Sequence, residues 1–223
     1  MPDRVPGWSR MRSLTRALIV TLSVLSLAAA SGCGSGGEGD DLNGMTRTPP
    51  TKVAGVTMPD ESPGGGGRQT ELRGDGDGLM LVYFGYTSCP DVCPTTLAEL
   101  NVALKELPAD QADRVEVGMV TVDPARDTAR VLNGYLGHFF PPGRFDSFRT
   151  TDPDELARAE GAFGASSKLG KPDRHGDYDV SHTAQVYAVD DTGAVLVEWP
   201  FGTPSDDIRS DLERLLADGD GSA

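Results

Sequence analysis

Residues 79–97, "LMLVYFGYTSCPDVCPTTL", carry the chain from a run of strand-forming residues, across two cysteines, into a helix-forming segment. The run 79–84 is apolar at every position, so both faces of the strand it forms need cover, as in a central parallel strand. From Thr95 onward Leu97, Leu100, Leu104 and Leu107 recur at helical spacing. They predict a helix over 95–107, with Pro94 tolerated in its first turn. Cys89 and Cys93 fall at the junction, where unpaired helix N–H groups and the helix dipole favour negative charge. Such a place is expected to favour thiolate, the form that attacks disulfides and binds metals.

The pattern extends outward on both sides. Residues 115–122 form a second apolar strand that ends at "DPARDT", where Asp127 is placed to cap a helix carrying Val131, Leu132, Tyr135 and Leu136. A short strand at 145–148 precedes a helix at 154–163 with Pro153 near its start, and 164–181 reads as a polar loop. Two strands, 183–189 and 194–199, flank the hairpin signal Asp191-Thr192-Gly193. The amphipathic stretch 205–217 closes the chain, with Ile208, Leu212, Leu215 and Leu216 on one side. Upstream, apolar segments at 53–58 and 69–72 around "SPGGGG" suggest a loose β-hairpin. Strands alternating with helices and ending in a hairpin predict an α/β fold. The expected layout is thioredoxin-like, with an N-terminal β-hairpin extension and a loop insertion before the C-terminal β-hairpin.

The first 32 residues have another character. Arg4, Arg10, Arg12 and Arg16 stand against the single Asp3, and 17–30 is uncharged and mostly apolar. This reads as a secretory signal rather than a membrane span, which needs about 20 apolar residues. Ala30-Ser31-Gly32-Cys33 resembles a bacterial lipobox, which makes Cys33 the expected lipidation site and first mature residue. Two acyl chains anchor stably where one does not; an ordinary signal peptide is the plainer alternative. Residues 34–52 are rich in Gly, Asp and Pro and read as a flexible tether, 53–218 as the folded domain, and 219–223 as a disordered tail.

Loss of residues 1–32 removes four Arg and one Asp and moves the formal charge from −14 to −17. So acidic a domain is unsuited to nucleic acid, whose backbone calls for basic residues.

Three residues separate Cys89 from Cys93, one more than in thioredoxin-type exchange proteins. An interval of four is about one helical turn, which puts both sulfurs on one side as a bite for a soft ion. A structural zinc site wants four protein ligands, and with Cys33 lipidated no third cysteine is free. Two thiolates with an added imidazole suit copper or zinc. Of the three histidines, His138 in "YLGHFF" reads as a helix-end packing residue and His175 as a solvated loop side chain. His182 stands where the polar loop meets a core strand, a rigid place from which to aim an imidazole. Three uses of the pair stay open: metal binding, thiol exchange, and a structural bridge, whose small loop would stabilise little. A peroxidase site is not supported, because Thr87 lies only two residues before Cys89.

Taken in order, "FGYTSCPDVCPTTL", "DPARDT" and "DYDVSHTAQVYAVD" resemble the Sco (SenC/PrrC) family over about residues 53–218. The resemblance implies a thioredoxin-fold copper protein that assists assembly of the binuclear copper centre of cytochrome c oxidase. Cys89 and Cys93 match its two thiolate ligands and His182 its histidine ligand, for Cu(I) and, with an outside ligand, Cu(II). Asp123 and Asp127 are assigned to turn chemistry and loop support, Tyr178 to anchoring its loop, and Asp91 either to the turn between the cysteines or to influencing their charge or meeting a partner. The implied function is a copper metallochaperone on the extracytoplasmic face of the membrane, held by its lipid, with the subunit II copper domain of the oxidase as partner. The alternative is a thiol-disulfide oxidoreductase acting on the oxidase or on other exported proteins. The oligomeric state is left open.

Overall fold

The computed structural model describes residues 42–218. The signal segment, Cys33, the first part of the tether and the tail from 219 lie outside the described residues. A seven-stranded sheet runs, edge to edge, through residues 68–71, 57–60, 145–148, 115–121, 79–85, 185–189 and 195–200. Its centre is β3, Leu79–Gly85, buried at every position. It pairs in parallel with β4, Val115–Thr121, from Leu79↔Val115 to Gly85↔Thr121, and antiparallel with β8, Gln185–Val189. β5, Phe145–Phe148, extends the parallel half, and β9, Val195–Pro200, completes the C-terminal hairpin.

The N-terminal hairpin comprises β1, Thr57–Asp60, and β2, Arg68–Glu71, and joins the sheet through Asp60↔Phe148. Its connection needs glycine, since Gly64, Gly66 and Gly67 have φ of 104°, 65° and 73°, a region closed to most side chains. In the β8–β9 turn one Asp190 oxygen accepts from Thr192 N, Thr192 Oγ1 and Ala194 N. Gly193 has φ 72° there, and a Cβ on it would sit 2.6 Å from the Ala54 backbone.

Four longer helices cover the sheet: α1, Val92–Glu106; α3, Ala129–Leu136; α4, Pro153–Phe163; and α5, Ser205–Asp218. A single turn, α2 at Ala109–Ala112, leads into β4. Helix α1 starts three residues before the expected Thr95, because Pro94 then falls among the first four positions, whose N–H groups have no helical partner. The cap of α3 is Thr128, not Asp127, which is committed elsewhere. No described helix is long and apolar enough to cross a membrane.

Two further differences from the sequence reading concern irregular segments. Residues 42–52, read as part of a flexible tether, lie along the outer edge of the sheet. Met45 and Glu198 exchange backbone hydrogen bonds of 2.8 Å, and Val195 N donates to Thr51 O at 2.9 Å. The buried Asp211 carboxylate accepts from Asn43 N, Gly44 N and Trp199 Nε1 at 2.7–2.9 Å. These bonds cover an edge strand that would otherwise present unpaired backbone. The segment read as a polar loop, 164–181, carries β6 at Ser167–Leu169 and the start of β7, Val180–His182, an antiparallel pair with Ser167 opposite His182.

A cysteine-histidine cluster at the head of the sheet

The loop after β3 delivers Cys89, the first turn of α1 delivers Cys93, and the end of β7 delivers His182. One donor atom from each lies within 4.8 Å of the others, and among the described residues no other group of side chains does this. Cys93 Sγ stands 3.5 Å from His182 Nε2, and Cys93 N donates to Cys89 Sγ at 3.2 Å. The last bond satisfies one of the unpaired N–H groups of α1 with a sulfur. Only Cys93 is helical, so the sulfurs meet because the Pro90-Asp91 turn folds Cys89 back over the helix start. This differs from the expected stacking of both along one helical turn. Both thiols are free.

The imidazole is oriented for ligation. His182 Nδ1 lies 3.1 Å from Thr183 O, which places the proton on Nδ1 and leaves the Nε2 lone pair facing the sulfurs. Tyr83 and Tyr86 meet the ring edge to face, at centroid distances of 6.0 and 5.7 Å. Burial lowers the His182 pKa, which keeps the ring neutral, as a ligand must be. Thiolate and imidazole bonds to a metal run about 2.0–2.3 Å, so donors in a trigonal set sit about 3.5–4 Å apart. The observed spacing fits one ion with little movement.

Cys93 departs from the sequence expectation. Burial pushes its thiol up to about 12, and the opposing help of the Tyr83 hydroxyl and the Tyr86 backbone does not cancel this. Cys93 is 0 % exposed, so desolvation of the anion outweighs the helix terminus. The metal-free cluster therefore holds a protonated Cys93 against a bare imidazole nitrogen. The ordinary thiol value is 9.0, so the unfolded chain loses this proton first, and stability falls as pH rises from about 9 toward 12. Urea melts of the metal-free protein should show that loss, and Cys93→Ser should reduce it.

Two aspartates of one turn brace the two halves of the cluster. Asp127, 0 % exposed, accepts from Thr87 N at 3.0 Å, Thr87 Oγ1 at 2.5 Å and Thr121 Oγ1 at 2.6 Å. It ties the loop before Cys89 to the end of β4. Asp123, equally buried, accepts from Tyr178 Oη at 2.6 Å and pairs with Arg126, whose guanidinium lies 4.1 Å from the Tyr178 ring centre. Tyr178 so anchors the loop four residues before His182. Composition alone hides this bracing. The spacing of two acids within "DPARDT" was its only trace.

The other candidates stay outside. His138 is exposed at the end of α3, its Nδ1 2.6 Å from Gly134 O, so it closes the helix without packing into the core. His175 is exposed and its Nε2 accepts from Arg174 Nε at 2.8 Å. Asp91 precedes α1 without a side-chain capping bond and is exposed. Beside the cluster, Tyr86, Cys89, Pro90, Val92 and His182 line an open cleft of about 310 Å³, through which an ion or a partner's side chain reaches the donors.

Fold and cluster together define a thioredoxin-like protein with a Cys-x-x-x-Cys loop facing a histidine. The model of the SCO1/SenC family matches residues 66–217, and the chain belongs to that family. It is similar to the apo Sco1 protein of Thermus thermophilus, with 30% identity and a TM-score of 0.67, over 80% of this chain and 99% of that one. ScoI of Bradyrhizobium japonicum, a structure with copper bound, is 31% identical with a TM-score of 0.59, over 71% and 96% of the two chains. A SCO2-like protein of Rickettsia felis is 34% identical over 144 residues, 64% of this chain and 67% of that one. A relative from Stutzerimonas stutzeri is 34% identical over 115 residues, 54% of its length. The chain thus spans roughly half to two thirds of these curated relatives.

Proposed function

We propose that this protein is a copper metallochaperone, held by a lipid on Cys33 at the extracytoplasmic face of the membrane, that loads the subunit II copper domain of cytochrome c oxidase. The observation that carries this reading is the convergence of Cys89, Cys93 and His182 with the imidazole lone pair turned inward. Two thiolates and a neutral imidazole suit Cu(I), the softest of the common biological ions. Copper is cargo here, taking the place of the thiol protons, so its uptake releases them. The cleft beside Cys89 lets an acceptor thiolate or imidazole enter before a donor leaves, and transfer then proceeds by ligand exchange without free ion.

The direct test mixes copper-loaded protein with the apo copper domain of subunit II under anaerobic conditions. Copper is expected to move to the acceptor, and to stay in the donor fraction when the acceptor's own copper ligands are replaced. Retention by the donor in the presence of competent acceptor contradicts the reading.

Tyr83 adds a finer prediction. It is 0 % exposed, and its hydroxyl, beside the Cys93 sulfur, makes no well-formed hydrogen bond. A buried donor without an acceptor is destabilising, whereas a copper-bound thiolate would supply the acceptor. Tyr83→Phe should leave copper-free stability unchanged or higher while weakening Cu(I) about tenfold. Competition with a Cu(I) chelator and a urea melt check both signs.

A second reading, thiol-disulfide oxidoreductase, is supported by the adjacency of the two thiols, where Cys93 N donates to Cys89 Sγ. Disulfide exchange needs the sulfurs but not the imidazole. Turnover of a disulfide substrate that survives His182→Ala supports this second reading, and turnover lost with copper binding supports the first.

A further inference from the structure

A second cavity, of about 290 Å³, opens between the β4–α3 turn, the first turns of α4 and β6. Its walls are largely apolar, formed by Val122, Pro124, Pro153, Leu156 and Leu169. Glu160 also lines it, only 7 % exposed, with Oε1 wholly shielded and without a hydrogen-bond partner. Among the described residues nothing forms an ion pair with Glu160, although Lys168 lies exposed at the rim. A buried carboxylate oxygen without a donor is costly, and a ligand that supplies one would complete it.

The chemistry of the cavity selects the ligand. A hard cation needs several oxygen donors, and Glu160 belongs to no cluster of metal-ligating side chains among the described residues. A largely apolar shaft with Glu160 on its wall, beside Asp152, which is engaged in capping α4, instead matches an alkyl stem carrying a cationic head, the form of an arginine or lysine side chain. The chain's formal charge of −14 draws basic surfaces toward it. The position bears on the metal cluster as well. β6 lines the cavity, and Ser167 on β6 pairs with His182.

We propose that this cavity receives a basic side chain, arginine foremost, from the protein that exchanges copper with this one. The proposal rests on the chaperone reading for the identity of that partner. An occupant pairs with Glu160 and packs against β6, the strand that supports the one carrying His182. Docking and ligand exchange are thereby placed on the same two-stranded ladder.

The test is a nitrogen–proton NMR titration of the copper-free full chain in detergent micelles. The probes are the peptide N-acetyl-glycyl-arginyl-glycinamide and its citrulline counterpart, a neutral isostere. The arginine peptide is expected to give saturable shifts concentrated at 150–157 and 167–169, and the citrulline peptide to bind about tenfold more weakly. Glu160→Gln should cause a similar loss. Leu169→Ala, at a position 45 % exposed and therefore safe for folding, should weaken binding about threefold through lost apolar contact. Equal binding of the two peptides, undiminished binding by Glu160→Gln, or shifts scattered over the surface would overturn the proposal. Because no copper is present, failure of the cavity and failure of the copper site are read separately.

Discussion

His182→Ala is expected to lower Cu(I) affinity by about 100-fold or more while leaving the fold intact. Substitutions that touch only the partners of a metal ligand cost about 10–100-fold, so loss of the ligand itself belongs at or beyond the top of that range. Each tenfold corresponds to about 1.4 kcal/mol. The ring is half-buried at the end of a short ladder, and its removal opens space toward the cleft without stripping the central sheet. Anaerobic titration against a Cu(I) chelator, with Cys89→Ser in parallel, measures the effect. One equivalent bound tightly by the parent and lost in both variants is the expected result. Undiminished affinity in both rejects the three-donor site.

The largest expected effect on stability comes from a residue that touches no metal. Asp127→Ala removes the common acceptor of Thr87 N, Thr87 Oγ1 and Thr121 Oγ1 in a fully buried place. Hydrogen bonds to a charged group contribute about 1.5–3 kcal/mol each and do not add simply, so a loss of about 3–4 kcal/mol is expected. Urea melts with an unchanged slope measure it. Asp127→Asn keeps an acceptor oxygen and should recover part of the loss. The same substitution frees the loop two residues before Cys89, so copper affinity should fall in Asp127→Ala even under conditions where the protein stays folded. A loss below about 1 kcal/mol contradicts the bracing role.

The sequence was most legible where one physical demand dominated. The uniform apolar run of β3 can only be covered on both faces, and it is. Gly193 answers both a positive φ and the approach of Ala54, so the hairpin around it stands out. The cysteine loop was legible because a strand, a helix start and two thiols coincide there. Elsewhere competing demands obscured the outcome. β6 and β7 are three residues each, largely polar and exposed, and carry no periodicity to read. Residues 42–52 have the composition of a tether, yet side chains distant in sequence, Asp211 and Glu198, hold them to the sheet. The Cys93 thiol was placed by its helix position, which favours the anion, but burial decides the sign. The two aspartates of "DPARDT" looked like local turn residues because their partners, Thr87 and Tyr178, lie 40 and 55 residues away.

X-ray absorption at the copper edge of the Cu(I)-loaded protein, compared with His182→Ala, tests the three-donor site most directly. A three-coordinate ion with two sulfur scatterers and one imidazole is expected, and the outer-shell signal of the imidazole should disappear in the variant. A spectrum without sulfur, or an imidazole signal that persists after His182→Ala, contradicts that site.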